Sequence, residues 1–260
     1  MPMANIDCAP SIGTDRTVRR RRGWRAWLAA GLLALAAPVG LAHATPPAGP
    51  TADPSFPFSN EIDAFAKANE AGPAIPDATL FLGSSSIRLW DIAGSFADIG
   101  TINRGFGGAT TPDVLHYYPR LLPRTTPRSI IVYVGENDLA AGATPAQVSR
   151  DVLTLLRRLR TDYPRAHIAC LSLKPSPIRW TLWPKLSAVN QTIAARANAI
   201  KFDYVDVGSA LLAKDGLPDA SLFRADGLHM NARGYQRWTT LVDRYLDRAV
   251  LADTGARPAS

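Results

Sequence analysis

Five short apolar segments, separated by helical patterns, restrict the fold of this chain more than any other feature. They are ATLFLGS (78–84), IGTINRGF (99–106), SIIVYVG (129–135), AHIACLSL (166–173) and FDYVDVG (202–208), of which the second is the weakest. Segments that are apolar almost throughout, rather than alternating, are typical of strands covered on both faces. Strands that alternate with helices imply right-handed crossovers in a parallel sheet. The sequence therefore predicts an α/β fold of the flavodoxin-like type, a three-layer sandwich in which a five-stranded parallel sheet carries helices on both faces.

Three of the helical patterns have clear boundaries. SNEIDAFAKANEAG (59–72) predicts a helix that is capped by Ser59 or Asn60 and ends at Gly72. The second (144–164) combines a Thr144 N-cap, Pro145 in the first turn and Gln147 in a capping box. ARGYQRWTTLVDRYLDRAVLA (232–252) predicts a closing helix.

The first 44 residues have the three parts of a secretory signal. A basic segment, RTVRRRRGWR (16–25), precedes an uncharged apolar segment (26–42), and Ala42-His43-Ala44 has the small-x-small pattern of a signal-peptidase site. A single membrane anchor is the alternative, but the run is short for a span and contains Gly31, Pro38 and Gly40. We expect cleavage after Ala44, export to the periplasm or the exterior, and no stable membrane span afterwards. The expected organisation is a signal peptide (1–44), a Pro-rich leader (45–58) and one domain (59–260).

The charge of the chain belongs largely to that first segment. Residues 1–44 hold six of the 29 basic residues and two of the 22 acidic ones, so the remainder carries 23 and 20 and its net charge falls from +7 to +3. A high positive charge would have been the main argument for nucleic acid as a partner, and the remainder of the chain lacks it. The 47% hydrophobic content excludes intrinsic disorder, and two cysteines exclude a disulfide scaffold.

Chemistry-bearing residues follow the predicted strands, where the ligand crevice of a doubly wound sheet lies. Gly83-Ser84-Ser85-Ser86 follows the first strand, a segment containing Gly107-Gly108 follows the second, and Gly135-Glu136-Asn137-Asp138 follows the third. Asp226-Gly227-Leu228-His229 precedes the closing helix. In order and spacing these four segments resemble the SGNH, or GDSL-type, esterase and lipase superfamily, and the resemblance spans about residues 79–250. Ser84 stands where that family usually has Asp.

The resemblance implies a serine hydrolase with Ser85 as nucleophile and an oxyanion hole formed by the backbone N–H groups of Ser85 and Gly108 and the side-chain amide of Asn137. Ser84 is the next choice for the nucleophile. A serine needs a base to take its proton, and His229 has an acidic neighbour at a useful spacing, Asp226, which can orient the imidazole. Read alone, each segment has a structural explanation, such as a helix cap after Gly83 or an Asx turn at Asn137.

The other candidates for base or nucleophile fit less well. His116 lies in a helical pattern, His167 opens a buried strand, and Cys170 sits in an apolar strand without polar partners. The sequence contains no metal-ligand spacing, dinucleotide fingerprint or P-loop, so we expect neither a metal nor another cofactor.

Two segments are candidates for substrate binding. KPSPIRWTLWP (174–184) is rich in proline and aromatic residues, which favours either packing over the sheet edge or a wall with Trp180 or Trp183 against an acyl chain or sugar ring. Arg104 and Phe106 lie beside the oxyanion glycine, although Arg104 is equally compatible with a solvated surface position.

The sequence thus predicts an exported serine ester hydrolase that acts through an acyl-enzyme on short-chain or acetyl esters, including esters on carbohydrates. The expected partners are small-molecule, glycan or lipid esters. Three alternatives stay open: a lipid hydrolase of lysophospholipase or thioesterase type, a sugar O-acyltransferase, and a non-catalytic carbohydrate- or lipid-binding domain.

Overall fold

The structure, a computed structural model, describes residues 57–254. The expected signal peptide and almost all of the Pro-rich leader lie outside the described residues. The expectations about cleavage and export therefore stay predictions.

The sheet has five strands, all parallel, in the order β2-β1-β3-β4-β5. The strands are β1 (Thr79–Gly83), β2 (Thr101–Gly105), β3 (Ser129–Tyr133), β4 (His167–Leu171) and β5 (Asp203–Val205). Each lies within one of the five apolar segments, and the predicted flavodoxin-like fold class is confirmed. The chain runs from β1 outward to β2 and then returns to β3 on the other side of β1. The strand order reverses there, so the crevice expected for a ligand lies beyond the carboxyl ends of β1 and β3.

Nine α-helices connect and flank these strands within residues 57–254. They are α1 (Ser59–Ala71), α2 (Ser85–Arg88), α3 (Ile92–Ser95), α4 (Thr111–Leu121), α5 (Glu136–Ala140), α6 (Pro145–Asp162), α7 (Trp183–Ala194), α8 (Ala197–Ile200) and α9 (Ala232–Thr254). A 3-10 segment, Pro177–Leu182, precedes α7. Helices α1, α4, α6 and α7 pack side by side as one layer.

The other face of the sheet packs against α9 through aromatic rings. Phe81 of β1 contacts Trp90 edge to face at 5.6 Å between ring centroids, and Trp90 contacts Trp238 of α9 at 5.7 Å. Tyr133 of β3 also lies against Trp238, at 4.9 Å. Because side chains alternate along a strand, Leu80 and Leu82 of β1 point to the opposite face of the sheet, towards the layer that contains α4. Both faces of the sheet are buried, which explains the continuous apolar sequence of the strands.

The capping signals were correct for one of two helices. Thr144 caps α6: its Oγ1 atom accepts a hydrogen bond from the Gln147 N–H, and its own backbone N–H donates the reciprocal bond of the capping box to Gln147 Oε1. For α1 the predicted cap was wrong, because Phe58 occupies the N-cap position with φ 78°. The Phe58 ring contacts the buried Phe106 ring at 5.1 Å, so tertiary packing takes the place of a polar cap.

Within the described residues, no helix combines the length and apolar content needed to cross a membrane.

Candidate active site

Ser85 lies at the sharp turn between β1 and α2. Ser84 is the N-cap of α2, and its backbone N–H donates to the Tyr133 carbonyl of β3 at 3.1 Å. Ser85 is the first residue of the helix and is buried. Its backbone N–H therefore has no acceptor within the helix and is available to a ligand.

Gly83 makes this turn possible. It has φ 151°, and a Cβ there would collide with the carbonyl oxygen of Tyr133. Only glycine combines that backbone conformation with such a close approach to the neighbouring strand. Gly83 therefore brings the start of α2 directly over the carboxyl end of β3.

His229 lies in a tight loop that comes back over the sheet before α9. The Arg224 N–H donates to the His229 carbonyl at 2.7 Å, and the Gly227 N–H donates to the Arg224 carbonyl at 2.9 Å. Gly227 has φ 63°, a left-handed conformation that suits glycine. Asp226 closes the loop, because one carboxylate oxygen accepts the backbone N–H groups of Leu228 and His229, each at 2.9 Å. The sequence Asp-Gly-Leu-His thus forms this loop largely by itself.

The loop and the turn together bring three of the predicted site residues into one chain of hydrogen bonds. Ser85 Oγ lies 2.9 Å from His229 Nε2, and His229 Nδ1 lies 2.8 Å from Asp226 Oδ2. A carboxylate can only accept, so Nδ1 carries the proton and Nε2 is left to accept from the serine hydroxyl. The partner of His229 is Ser85, and not the neighbouring Ser84.

The hydrogen bonds keep Asp226 ionised. Partial desolvation of the carboxylate acts to raise its pKa, but the bonds from the His229 ring and from the two backbone N–H groups outweigh it and lower the pKa to about 2. An ionised Asp226 holds the imidazole in one tautomer and stabilises the imidazolium that forms when His229 takes a proton.

Gly108 lies in the loop between β2 and α4. It has φ 75°, with only the Phe58 ring within 4 Å of a Cβ built there. The requirement for glycine therefore comes from the backbone conformation and not from crowding by other protein atoms. The Thr111 N–H, just after this loop, donates to the buried carboxylate of Asp138 at 2.9 Å. This bond ties the loop after β2 to α5.

Asn137, in the first turn of α5, faces the same loop. Its Nδ2 group donates to the Ala109 carbonyl at 2.9 Å, and its Oδ1 atom accepts from Arg179 Nη1 at 3.0 Å. One of the two Nδ2 hydrogens remains free of these bonds. The structure thus places Asn137 and the Gly108 loop together at the switch point of the sheet.

Sequence reasoning missed a buried charged cluster behind Asn137. Glu136 accepts from Lys174 Nζ at 2.7 Å, from the Tyr133 hydroxyl at 2.6 Å and from Arg179 Nη1 at 3.1 Å. Burial acts to raise the pKa of Glu136, but the charge and hydrogen bond of Lys174, with Tyr133 and Arg179, lower it below its usual value. The available signal was the presence of Glu136 and Lys174 directly after two apolar strands.

Two expected substrate contacts do not hold in this structure. Phe106 is fully buried and packs edge to face against Phe58 and Tyr117, so its ring is closed to a substrate. Arg104 is buried as well, and it donates to Asn69 and lies over the Phe65 ring of α1. The reason is the twofold alternation of a strand, which turns Arg104 towards the α1 layer.

The 174–184 segment does lie beside the candidate site. The Ile178 N–H donates to the Gly227 carbonyl at 3.2 Å, inside the loop that carries His229, and Ile178 is 67% exposed. Trp180 and Trp183 are partly exposed and stack on each other, with ring centroids 5.7 Å apart and planes 15° from parallel.

Among residues 57–254, no group of three or more His, Cys, Asp or Glu side chains is arranged to hold a metal ion. The buried Cys170 has a pKa raised to about 12 by burial. The ring of His167 bonds to Asp253 of α9 and not to a residue of the Asp226–His229 loop.

The fold is shared with several solved structures. A protein from Streptococcus pneumonia, provisionally described as a platelet activating factor, superposes with a TM-score of 0.66 at 22% identity, over 72% of this chain and 92% of that one. A GDSL-like lipase from Bacteroides thetaiotaomicron superposes with a TM-score of 0.61 at 20% identity, over 72% of this chain and 98% of that one. At such identities the likeness concerns the fold. No curated protein matches the chain by sequence.

The sequence profile of the GDSL-like lipase/acylhydrolase family matches residues 90–237, more than half of the 260-residue chain. The matched region contains Gly108, Asn137, Asp226 and His229, and it begins just after Ser85. The chain therefore belongs to the GDSL-like lipase/acylhydrolase family, a family of carboxylic ester hydrolases.

Proposed function

We propose that this protein is an exported serine esterase that hydrolyses short-chain or acetyl esters through an acyl-enzyme on Ser85. The observation that carries the proposal is the continuous hydrogen-bond chain from Ser85 Oγ through the His229 ring to Asp226, with distances of 2.9 and 2.8 Å. A serine hydroxyl becomes a competent nucleophile when a base within hydrogen-bond reach takes its proton.

The reaction proceeds in two steps, acylation of Ser85 and hydrolysis of the acyl-enzyme. Ser85 Oγ attacks the ester carbonyl while its proton passes to His229 Nε2, and a tetrahedral intermediate forms. The carbon–oxygen bond to the alcohol then breaks, and the departing alkoxide takes the proton from His229, which leaves the acyl group on Ser85. Water attacks this acyl-enzyme with His229 again as base, and the acid is released as Ser85 regains its proton.

The negative oxygen of each tetrahedral intermediate needs donors that are already in place. The backbone N–H of Ser85, at the start of α2, is one such donor, and we assign the others to the Gly108 N–H and the free Nδ2 hydrogen of Asn137. The assignment is supported by topology, because the three groups follow β1, β2 and β3, whose carboxyl ends lie at the same edge of the parallel sheet.

Exposure of the site supports a small acyl group. The side chain of Asp226 is 47% exposed and that of His229 is 21% exposed, so the catalytic loop lies at the protein surface. A long acyl chain gains affinity from an enclosed apolar channel, whereas an acetyl group needs none. The 174–184 segment contacts the His229 loop through Ile178 and carries the partly exposed Trp180 and Trp183, and we assign these two rings to contact with a carbohydrate alcohol part.

The test is hydrolysis of p-nitrophenyl acetate, butyrate and decanoate by the protein and by Ser85→Ala, with Ser84→Ala as the matched control. We expect turnover that falls with chain length, is lost in Ser85→Ala and persists in Ser84→Ala. Undiminished activity in Ser85→Ala would refute the assigned nucleophile. A preference for decanoate would indicate a lipid substrate instead, and release of acid that drops when a sugar acceptor is added would indicate acyl transfer.

A further inference from the structure

The side-chain amide of Asn137 is held from both of its ends. Its nitrogen donates to the Ala109 carbonyl, and its oxygen accepts from Arg179. If the amide turned over, its oxygen would face a carbonyl and its nitrogen would face a guanidinium, and both contacts would be repulsive. The two partners therefore enforce the same orientation, in which the second Nδ2 hydrogen is available.

Arg179 reaches Asn137 from the 3-10 segment Pro177–Leu182. A single nitrogen, Nη1, lies 3.0 Å from Asn137 Oδ1 and 3.1 Å from Glu136 Oε1. Nη1 carries two hydrogens, one for each acceptor. The neighbouring residues of the chain, Glu136 and Asn137, are thus bridged by one guanidinium nitrogen.

Glu136 in turn is fixed by a buried partner. Its other oxygen accepts from Lys174 Nζ at 2.7 Å and from the Tyr133 hydroxyl at 2.6 Å. The Lys174 side chain is fully buried and that of Glu136 is 4% exposed. Two cations share one carboxylate, so the cluster carries a net charge of +1 directly behind Asn137.

A contribution to the stability of the fold does not by itself explain why these charged residues are buried. Apolar residues of similar volume commonly stabilise a protein as well as a buried ion pair does, because desolvation of the charges offsets their attraction. A buried pair does, however, hold its members in one geometry. Here that geometry places a guanidinium against the amide oxygen of the assigned oxyanion donor.

We infer that Arg179, held by the buried Glu136–Lys174 pair, is a positioning residue that orients and polarises the Asn137 amide as an oxyanion donor. The inference rests on the proposed function. Arg179 withdraws electron density from the amide oxygen, which makes the remaining Nδ2–H a stronger donor. The positive cluster also favours negative charge as it develops on the substrate oxygen, and this effect grows from ground state to transition state.

The test is a double-mutant cycle on p-nitrophenyl acetate hydrolysis with Arg179→Gln, Asn137→Ala and the double variant. Arg179→Gln is expected to lower kcat at least about tenfold with KM almost unchanged, because the lost interaction strengthens in the transition state. In the Asn137→Ala background the same substitution is expected to change kcat less than about twofold, because its target is gone. Arg179→Lys keeps the charge and a donor and is expected to recover part of the loss.

Arg157→Gln is the matched control, since Arg157 is an exposed arginine of α6 on a separate part of the surface. It is expected to leave kcat and KM unchanged. An equal loss of kcat in both backgrounds, an effect confined to KM, or unchanged kcat in Arg179→Gln would each overturn the inference. Where thermal unfolding shows that Arg179→Gln does not fold, Arg179→Lys in the two backgrounds gives the same comparison. An unaltered protein without esterase activity would overturn the proposed function itself.

Discussion

Asp226 accepts two hydrogen bonds from His229, one from the ring Nδ1 atom at 2.8 Å and one from the backbone N–H at 2.9 Å. The same carboxylate therefore shapes the loop and fixes the tautomer of the His229 imidazole. This double role follows from the three-residue spacing, which lets an aspartate bond to the backbone in a turn while its second oxygen reaches the ring.

Replacement of Asp226 by Asn tests the second role. Asn can still accept the backbone bonds, but it offers the ring no ionised acceptor and favours the wrong tautomer. We expect kcat to fall by about four orders of magnitude with a much smaller change in KM. Steady-state kinetics on p-nitrophenyl acetate measure the effect. Asp219→Asn is the control, because Asp219 also accepts a backbone N–H within a surface turn, from Ser221; an equal loss in that variant would contradict the assignment.

Gly83→Ala tests the turn that presents Ser85. A Cβ at Gly83 would collide with the Tyr133 carbonyl and would also have to adopt φ 151°. We expect a loss of about 3 kcal/mol in the free energy of unfolding, measured with urea. Gly142→Ala is the matched control: φ is 97° there, but no atom lies within 4 Å of the added Cβ. Its expected cost is about 1 kcal/mol, from backbone conformation alone. Equal costs at both positions would contradict the close approach between β1 and β3.

Glu136→Gln is expected to destabilise the protein in a way that depends on pH. The folded-state pKa of Glu136 lies below its ordinary value of 4.5, since Lys174 and its other partners outweigh burial. Its contribution to stability is therefore present above pH 4.5 and is lost as the pH falls through the lower folded-state value.

Near neutral pH, Glu136→Gln leaves the buried Lys174 and the partly exposed Arg179 without their carboxylate, and a loss of about 3 kcal/mol is expected. The difference in stability from the unaltered protein should shrink as the pH is lowered below 4.5. Thermal unfolding across that range measures it. Glu70→Gln, at an exposed position of α1, is the control and should show little difference at any pH. A gap that widens in acid would contradict an ionised Glu136.

Cys170 is expected to be inert in the folded protein. Its thiol is buried, and burial raises its pKa to about 12, so very little thiolate exists near neutral pH. In a Cys8→Ser background, Cys170 is the only thiol of the chain. Iodoacetamide should then label the protein in concentrated urea and leave it unlabelled, with full esterase activity, in buffer. Rapid labelling of the native protein would contradict the burial of this side chain.

Local sequence determined the elements and the shape of the loop that carries Asp226 and His229. The apolar strands, the Thr144 capping box and the Asp226–His229 turn each depend on residues within a few positions of one another. Hydrophobic periodicity and short-range hydrogen bonds act over that range, so the pattern of residues suffices to predict them. The parallel sheet follows as well, because buried strands joined by helices leave few other arrangements.

Tertiary structure decided which side chains meet. The Ser85–His229 bond joins residues 144 positions apart, and the Arg179–Asn137 bond joins residues 42 positions apart. Arg104 and Phe106 are closed to a substrate because distant parts of the chain cover them: Arg104 donates to Asn69 of α1, and Phe106 packs against Tyr117 of α4.

The cluster around the buried Glu136 shows most clearly what the sequence alone does not predict. From the sequence, Glu136 after a strand is typical of a residue that begins a helix. Only the fold brings Lys174 and Arg179 to its carboxylate. Burial then makes that charge costly unless it is paired, so the partners determine both its ionisation and the orientation of Asn137 beside it. Patterning of single residues specified the scaffold, whereas pairing across the scaffold specified the site.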